Sequence, residues 1–311
     1  MKLKYFLITL VVILCDCPSF SQNNLFNGEI KMAIKVSSKC NGISDKEWIN
    51  YLLYRDSSTN VYSGWKSKEI NSEYTKYREA KSNKIFTVFS NIDSISEGEH
   101  SDSAFDEKTI LTISSIDSLV KGFKCNKLKM VSKNSLSEYV ILDSNIYING
   151  NTVLLESYYE SPFYSISSKA TSIIEKKVDS QVVQSPALNL SNIKGSEIYK
   201  IVFKAPEFEG GVNGWIKYCN ANARTELGCK YIKIPKGQKS AMQTVTVLFA
   251  IDSVGNIVKC VSSKDEGVHP KLVKEALRLL DKSPTWLNGY YKGSPIPFIF
   301  KEKIVFLCVD E

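Results

Sequence analysis

Histidine and cysteine are the side chains here best suited to holding a metal or attacking a bond, and their spacing supports neither use. His100 and His269 are the only histidines. Neither has a partner at i+3 or i+4, the spacing that sets two ligands on one helix face. Cys219 and Cys229 lack the CxxC spacing of a redox pair. Gly237-Gln238-Lys239-Ser240 lacks the upstream glycine of a phosphate loop, and no G-x-S-x-G elbow occurs. The aromatic run from Tyr158-Tyr159 to Phe163-Tyr164 could stack on a ligand, but packing in an edge strand accounts for it more simply. Trp215 and Trp286 read as core anchors. The chain is therefore expected to be non-enzymatic, with no metal and no cofactor implied.

The elements that would position any site are clearest in the last third. Val212, Trp215, Ile216, Cys219 and Ala223 recur three and four apart, predicting a helix with that face inward. Gly210-Gly211 allows a tight entry turn and Gly228 a stop. Thr244 to Ile251 alternates, Asp252 to Asn256 supplies turn residues, and Ile257 to Val261 resumes the apolar pattern, predicting a β-hairpin. A second helix runs from Pro270 to Lys282, with Leu272, Val273, Ala276, Leu277, Leu279 and Leu280 inward and Lys271, Lys274, Glu275 and Arg278 outward. A last strand spans Ile296 to Val309, alternating through Phe298, Phe300, Ile304, Phe306 and Cys308. Three strands backed by helices leave sheet edges exposed.

The preceding part reads as mostly antiparallel β in meander order. Strands are expected at Gly28–Val36, Lys84–Ser90, Thr109–Ile113, Phe123–Val131, Glu138–Asp143, Val153–Ser157 and Thr171–Lys176, separated by Asn, Ser, Asp and Gly. Ser94–Lys108 reads as an exposed loop. Trp48–Tyr54 fits a strand or a short helix equally. Asn- and Ser-rich sequence after Pro186 marks a boundary. The fold class is α+β: signal peptide 1–21, β-rich domain 22–185, linker 186–200 and a small α+β domain 201–311.

Lys2 and Lys4, the short apolar run Tyr5–Cys15 and Ser19-Phe20-Ser21 have the order of a cleaved signal, with Gln22 as the mature start. That run falls short of the ~20 residues that span a bilayer. The expected location is periplasmic or secreted, with outer-membrane association or a retained inner-membrane anchor as alternatives. Loss of Lys2, Lys4 and Asp16 lowers the net charge from +7 to +6. The basic residues are scattered, so no nucleic-acid partner is implied. Six cysteines remain, Cys40, Cys125, Cys219, Cys229, Cys260 and Cys308, compatible with pairing inside each domain. Cys260 and Cys308 fit small buried hydrophobes equally well.

Two stretches carry family resemblances. Pro206-Glu207-Phe208-Glu209-Gly210-Gly211, Phe249-Ala250-Ile251-Asp252 with Gly255, Glu275-Ala276-Leu277, Ser283-Pro284-Thr285-Trp286, Gly293-Ser294-Pro295 and the closing strand together resemble the TonB C-terminal domain in its Bacteroidetes form. The resemblance implies a small domain that grips an extended periplasmic segment of an outer-membrane protein, or another extended peptide, by adding it as a strand. Ile296, Phe298, Phe300, Ile304 and Phe306 are then the candidate edge. Pro206, Phe208, Gly210, Gly211, Gly255, Ala276, Pro284, Trp286 and Pro295 are the structural motif positions. A homodimer through the same edge is the alternative partner. Val120 to Lys127, Tyr147 to Leu155 and Ala170 to Pro186 resemble GLPGLI-type secreted β-rich proteins, a family that assigns no catalytic residue. A β-rich sheet of that kind also suits an apolar-ligand carrier. An energy transducer with a retained anchor is the remaining alternative.

Overall fold

A computed structural model describes residues 26–52, 57–63, 66–71, 74–79, 84–89, 95–99, 110–116, 119–132, 134–142, 153–184, 203–263 and 267–310. The expected signal peptide 1–21 and linker 186–200 lie outside these residues. The chain is mostly antiparallel β with a few helices and divides into two compact units. The first comprises residues 1–35, 53–160 and 166–200; the second takes in 36–52 and 161–165 together with 201–311. No helix among the described residues is long and apolar enough to cross a membrane.

The first unit is built on one sheet ordered β6-β5-β4-β3-β2-β1-β11-β10-β9-β8-β7. The strands are β1 (Asn27–Ser38), β2 (Ser57–Ser63), β3 (Lys66–Ile70), β4 (Tyr74–Glu79), β5 (Lys84–Phe89), β6 (Ile95–Glu99), β7 (Ile110–Ser115), β8 (Cys125–Val131), β9 (Leu136–Leu142), β10 (Leu154–Glu160) and β11 (Tyr164–Glu175). Two meanders are thus joined where β1 lies beside β11. Alternation sets the faces: Ile30 and Met32 of β1 are buried while Lys31 and Ala33 are exposed.

The buried side joins Ile30, Met32, Tyr62, Leu128, Tyr139, Ile141 and Leu155 in one cluster. The Tyr62 hydroxyl lies near the Leu154 backbone. In a flat sheet β2 and β10 would stand three strand spacings, about 14 Å, apart. The sheet therefore curls around its own apolar face.

Several expectations need correcting here. Residues 95–99 of the expected loop form β6, and 100–108 lie outside the described residues. Strands β2, β3 and β4 were not anticipated, because Ser, Lys, Glu and Tyr dominate them. The Tyr158–Tyr164 aromatics belong to interior strands β10 and β11 rather than to an edge.

In the second unit, α1 (Asp45–Leu52) makes residues 48–52 of the ambiguous run helix, and 53–54 lie outside the described residues. Ser44 and Glu47 form a reciprocal capping box: Ser44 Oγ accepts from the Glu47 amide at 3.3 Å, and Glu47 Oε2 accepts from the Ser44 amide at 2.8 Å. The Trp48 indole N–H donates to Ser38 Oγ at 3.1 Å. Tyr51 meets Phe298 edge-on at 5.4 Å between centroids, and Ser253 Oγ donates to Glu47 Oε1 at 2.7 Å.

The remaining elements are β12 (Phe203–Lys204), α2 (Gly211–Asn222), α3 (Leu227–Tyr231), β13 (Ser240–Ile251), β14 (Ile257–Ser262), α4 (Pro270–Asp281), β15 (Gly289–Tyr291), β16 (Ser294–Ile296) and β17 (Phe298–Val309). One antiparallel sheet has the order β14-β13-β17, and a small second sheet the order β12-β15-β16. Leu272, Ala276, Leu279 and Leu280 of α4 are buried, as are Val245, Val247, Phe249 and Ile251 of β13. Trp286 lies 5.5 Å from Phe249, 5.3 Å from Phe300 and 5.4 Å from Phe208.

The turn Asp252–Asn256 closes the hairpin. Asp252 Oδ1 accepts from the amides of Val254 and Asn256 at 3.0 and 2.8 Å. Gly255 has φ 95, and a Cβ there would stand 2.0 Å from the Trp286 carbonyl, so this position requires glycine.

The helix faces depart from their patterns in three places. Val212 and Ile216 of α2 are 69% and 49% exposed, and Trp215 and Tyr218 face the core instead. Glu275, expected to face solvent, is buried: it accepts from the Arg224 amide at 3.0 Å and from Arg278 Nε at 2.8 Å. A carboxylate can lie there because it satisfies backbone left open after α2. Gly228 does not end α2; it lies within α3, where a Cβ would come within 2.3 Å of the Leu307 carbonyl.

Candidate functional site

β17 pairs with β13 along its full length, from Phe298 opposite Ile251 to Val309 opposite Ser240. Among the described residues its other side has no strand neighbour. The Thr246 carbonyl of β13 accepts from the Ser263 amide on the β14 side, so the odd-numbered backbone groups of β13 face β17, where they meet its even-numbered residues. Alternation then directs the odd-numbered backbone groups of β17 to the open edge. Burial raises the Glu302 carboxyl above its ordinary value, opposed by the nearby Lys303 N–H.

The side chains separate by parity. Phe298, Phe300, Ile304 and Phe306 are buried in the unit's core, so any strand added at this edge would be held by backbone and by the odd-numbered side chains. Ile296 is also buried but belongs to β16, paired with Gly289; Pro297 separates it from β17, correcting the expected continuous strand from 296. Lys301 and Lys303 point to solvent. Beyond them Val305 and Leu307 are 56% and 55% exposed, and Met242, opposite Leu307, is 68% exposed. A basic segment thus runs into an apolar one on the outer face.

The C-terminal end of β17 is tied down. Cys229 of α3 forms a disulfide with Cys308, which replaces the reading of Cys308 as a small buried hydrophobe. Cys40, Cys219 and Cys260 are thiols outside any disulfide among the described residues. Burial pushes Cys219 up to about 11 and Cys260 up to about 12, so both are weak nucleophiles at neutral pH.

The motif residues frame this sheet. Glu207 between Pro206 and Phe208 bridges to Leu287, and Gly210 and Gly211 enter α2 at φ 77 and 63. Gly289 lies against the Pro206 ring. Ala276 is fully buried in α4, and Pro295 pairs with Tyr290. The Trp286 indole donates at 2.9 Å to Ser283 Oγ, beside Pro284. His269 caps α4, its Nδ1 accepting from the Lys271 amide at 3.2 Å. His100 lies outside the described residues. No cluster of three or more His, Cys, Asp or Glu suited to a metal occurs among the described residues.

Sequence reasoning missed a charged group in the first unit. Glu69 of β3 accepts from Arg78 Nη2 at 2.8 Å and from the Tyr74 hydroxyl at 3.1 Å. Lys76 lies directly across from Glu69. The signal was alternation of charged with aromatic residues in Tyr74-Thr75-Lys76-Tyr77-Arg78, which also fits an exposed strand.

No family model matches the sequence, and no curated protein matches it. Among solved structures the chain is similar to PNGF-II, at 13% identity over 73% of this chain and 44% of that chain, with a TM-score of 0.35. The match spans less than half of that protein's length.

Proposed function

We propose that the second unit is a non-enzymatic binding module that takes up an extended peptide by β-augmentation on β17. The observation that carries this is the position of β17 at the end of the order β14-β13-β17, paired on one side along all twelve residues. Such an edge offers regularly spaced N–H and C=O groups, so an added strand gains main-chain hydrogen bonds with little demand on its own side chains. The landmarks of the TonB C-terminal domain support a periplasmic segment of an outer-membrane protein as the occupant.

The outer face refines the occupant. Acidic side chains on the added strand would meet Lys301 and Lys303, and an apolar one would meet Val305; from Leu307 on, α3 covers the edge, with Gly228 against the Leu307 carbonyl. A Glu-Val repeat decapeptide is a suitable probe. The test is its fluorescence anisotropy titration against the native chain and against Val305→Pro. This exposed proline removes an outward N–H without touching the β13 ladder. Binding to the native chain and at least tenfold weaker binding to a variant with native circular dichroism is the expected result. Equal binding by the two would overturn the assignment to this edge.

A further inference from the structure

The register of the first unit places a lysine where an isolated charge is costly. Ile30 is opposite Asn60, Asn60 opposite Glu69, Glu69 opposite Lys76 and Lys76 opposite Thr87. These residues form one cross-strand row, so Lys76 lies on the same side of the sheet as the buried Ile30. It is only 6% exposed.

Its ammonium lies 4.8 Å from the centroid of the Tyr74 ring. Among the described residues it makes no hydrogen bond and no ion pair within 4 Å. Glu69 is already engaged by Arg78 and Tyr74. Arg78 donates from Nη2 alone, leaving Nε and Nη1 without acceptors among the described residues. Two cations therefore share one carboxylate. A buried ammonium with three unused N–H donors calls for an acceptor, and excess positive charge calls for an anionic one. Burial lowers the Lys76 ammonium to about 8, against the opposing charge of Glu69, so it remains mostly protonated at neutral pH.

We propose that Lys76 and Arg78 form a binding site for a single oxyanion, a carboxylate or a phosphate, on the curled side of the sheet. Arg78 and Glu69 are partly exposed and give the site its opening to solvent. The apolar cluster of Ile30, Met32 and Tyr62 lies on the same side, so a carboxylate bearing an acyl chain has apolar surface beside the charge. A free small anion would use the same two cations without it. This site belongs to the first unit and stands apart from the β17 proposal.

The test is isothermal titration of the full chain with acetate, inorganic phosphate and laurate. At least one of the three should bind one-to-one. Lys76→Met should weaken that binding at least tenfold, while Lys68→Met, whose lysine lies over the Tyr77 ring, should leave it unchanged. Laurate binding far tighter than acetate assigns the site to an amphiphile's head group; acetate or phosphate binding as tightly as laurate assigns it to a free anion. Should Lys76→Met lose its native circular dichroism, Lys76→Gln carries the same comparison. Absence of binding by all three, or equal weakening by Lys68→Met, would overturn the proposal.

Discussion

Glu69 is the residue whose ionisation bears most directly on the first unit's stability. Burial alone would raise its carboxyl, but the charges of Lys76 and Arg78, with bonds from Arg78 and Tyr74, hold it at about 2 against an ordinary 4.5. A carboxyl depressed by folding stabilises the native state above its unfolded value, and that contribution disappears as pH falls through the folded one. Urea midpoints should therefore drop between about pH 4.5 and about pH 2. Glu69→Gln should flatten that drop while lowering stability at neutral pH, because it leaves two cations without their carboxylate. An equally steep fall in the variant would show that other groups govern acid unfolding. Glu275 follows the same logic in the second unit: a charge was expected outside but lies inside, because it can satisfy the Arg224 amide and Arg278 together.

Among the elements, α3 and β17 are joined by the Cys229–Cys308 disulfide across 79 residues. Closing a loop of that length contributes roughly 4 kcal/mol by restricting the unfolded chain. The double variant Cys229→Ser/Cys308→Ser should lose stability on that scale in urea titrations, and reduction of the native chain should reproduce the loss. A loss below about 1 kcal/mol would mean that the tie is slack in the unfolded state. The hairpin β13–β14 and the helix α4 were legible in the sequence, since their periodicity, turn residues and Pro270 all agree. The inward face of α2 was not, because the exposed Val212 and Ile216 have the same spacing as a core stripe and only tertiary packing distinguishes them. The ambiguity of α1 was avoidable: Ser44-Asp45-Lys46-Glu47 carries a capping box. Strands β2 to β4 stayed hidden because a buried charged cluster and a solvated face give the same pattern. The pairing of Cys229 with Cys308 is a fact of three-dimensional proximity that spacing does not encode.

For the whole molecule, the second unit is assembled from three separated stretches of chain, 36–52, 161–165 and 201–311. α1 contributes Tyr51 against Phe298 and Glu47 against Ser253, and the Lys39 carbonyl accepts from Lys259 Nζ at 2.9 Å. A fragment of 201–311 alone exposes Phe298 and should be less stable than the same unit in the full chain by about 2 kcal/mol. Fluorescence of Trp215 and Trp286 during urea unfolding, with Trp48 and Trp65 replaced by Phe in the full chain, reads this difference. Equal midpoints would make α1 a passenger. The central claim concerns the open side of β17, and amide hydrogen exchange reads it residue by residue. On adding the Glu-Val decapeptide, the outward amides of Lys301 and Val305 should slow at least tenfold, while those already in the β13 ladder, such as Phe300 and Ile304, should change little. Unchanged exchange at Lys301 and Val305 under saturating peptide would contradict strand addition at this edge.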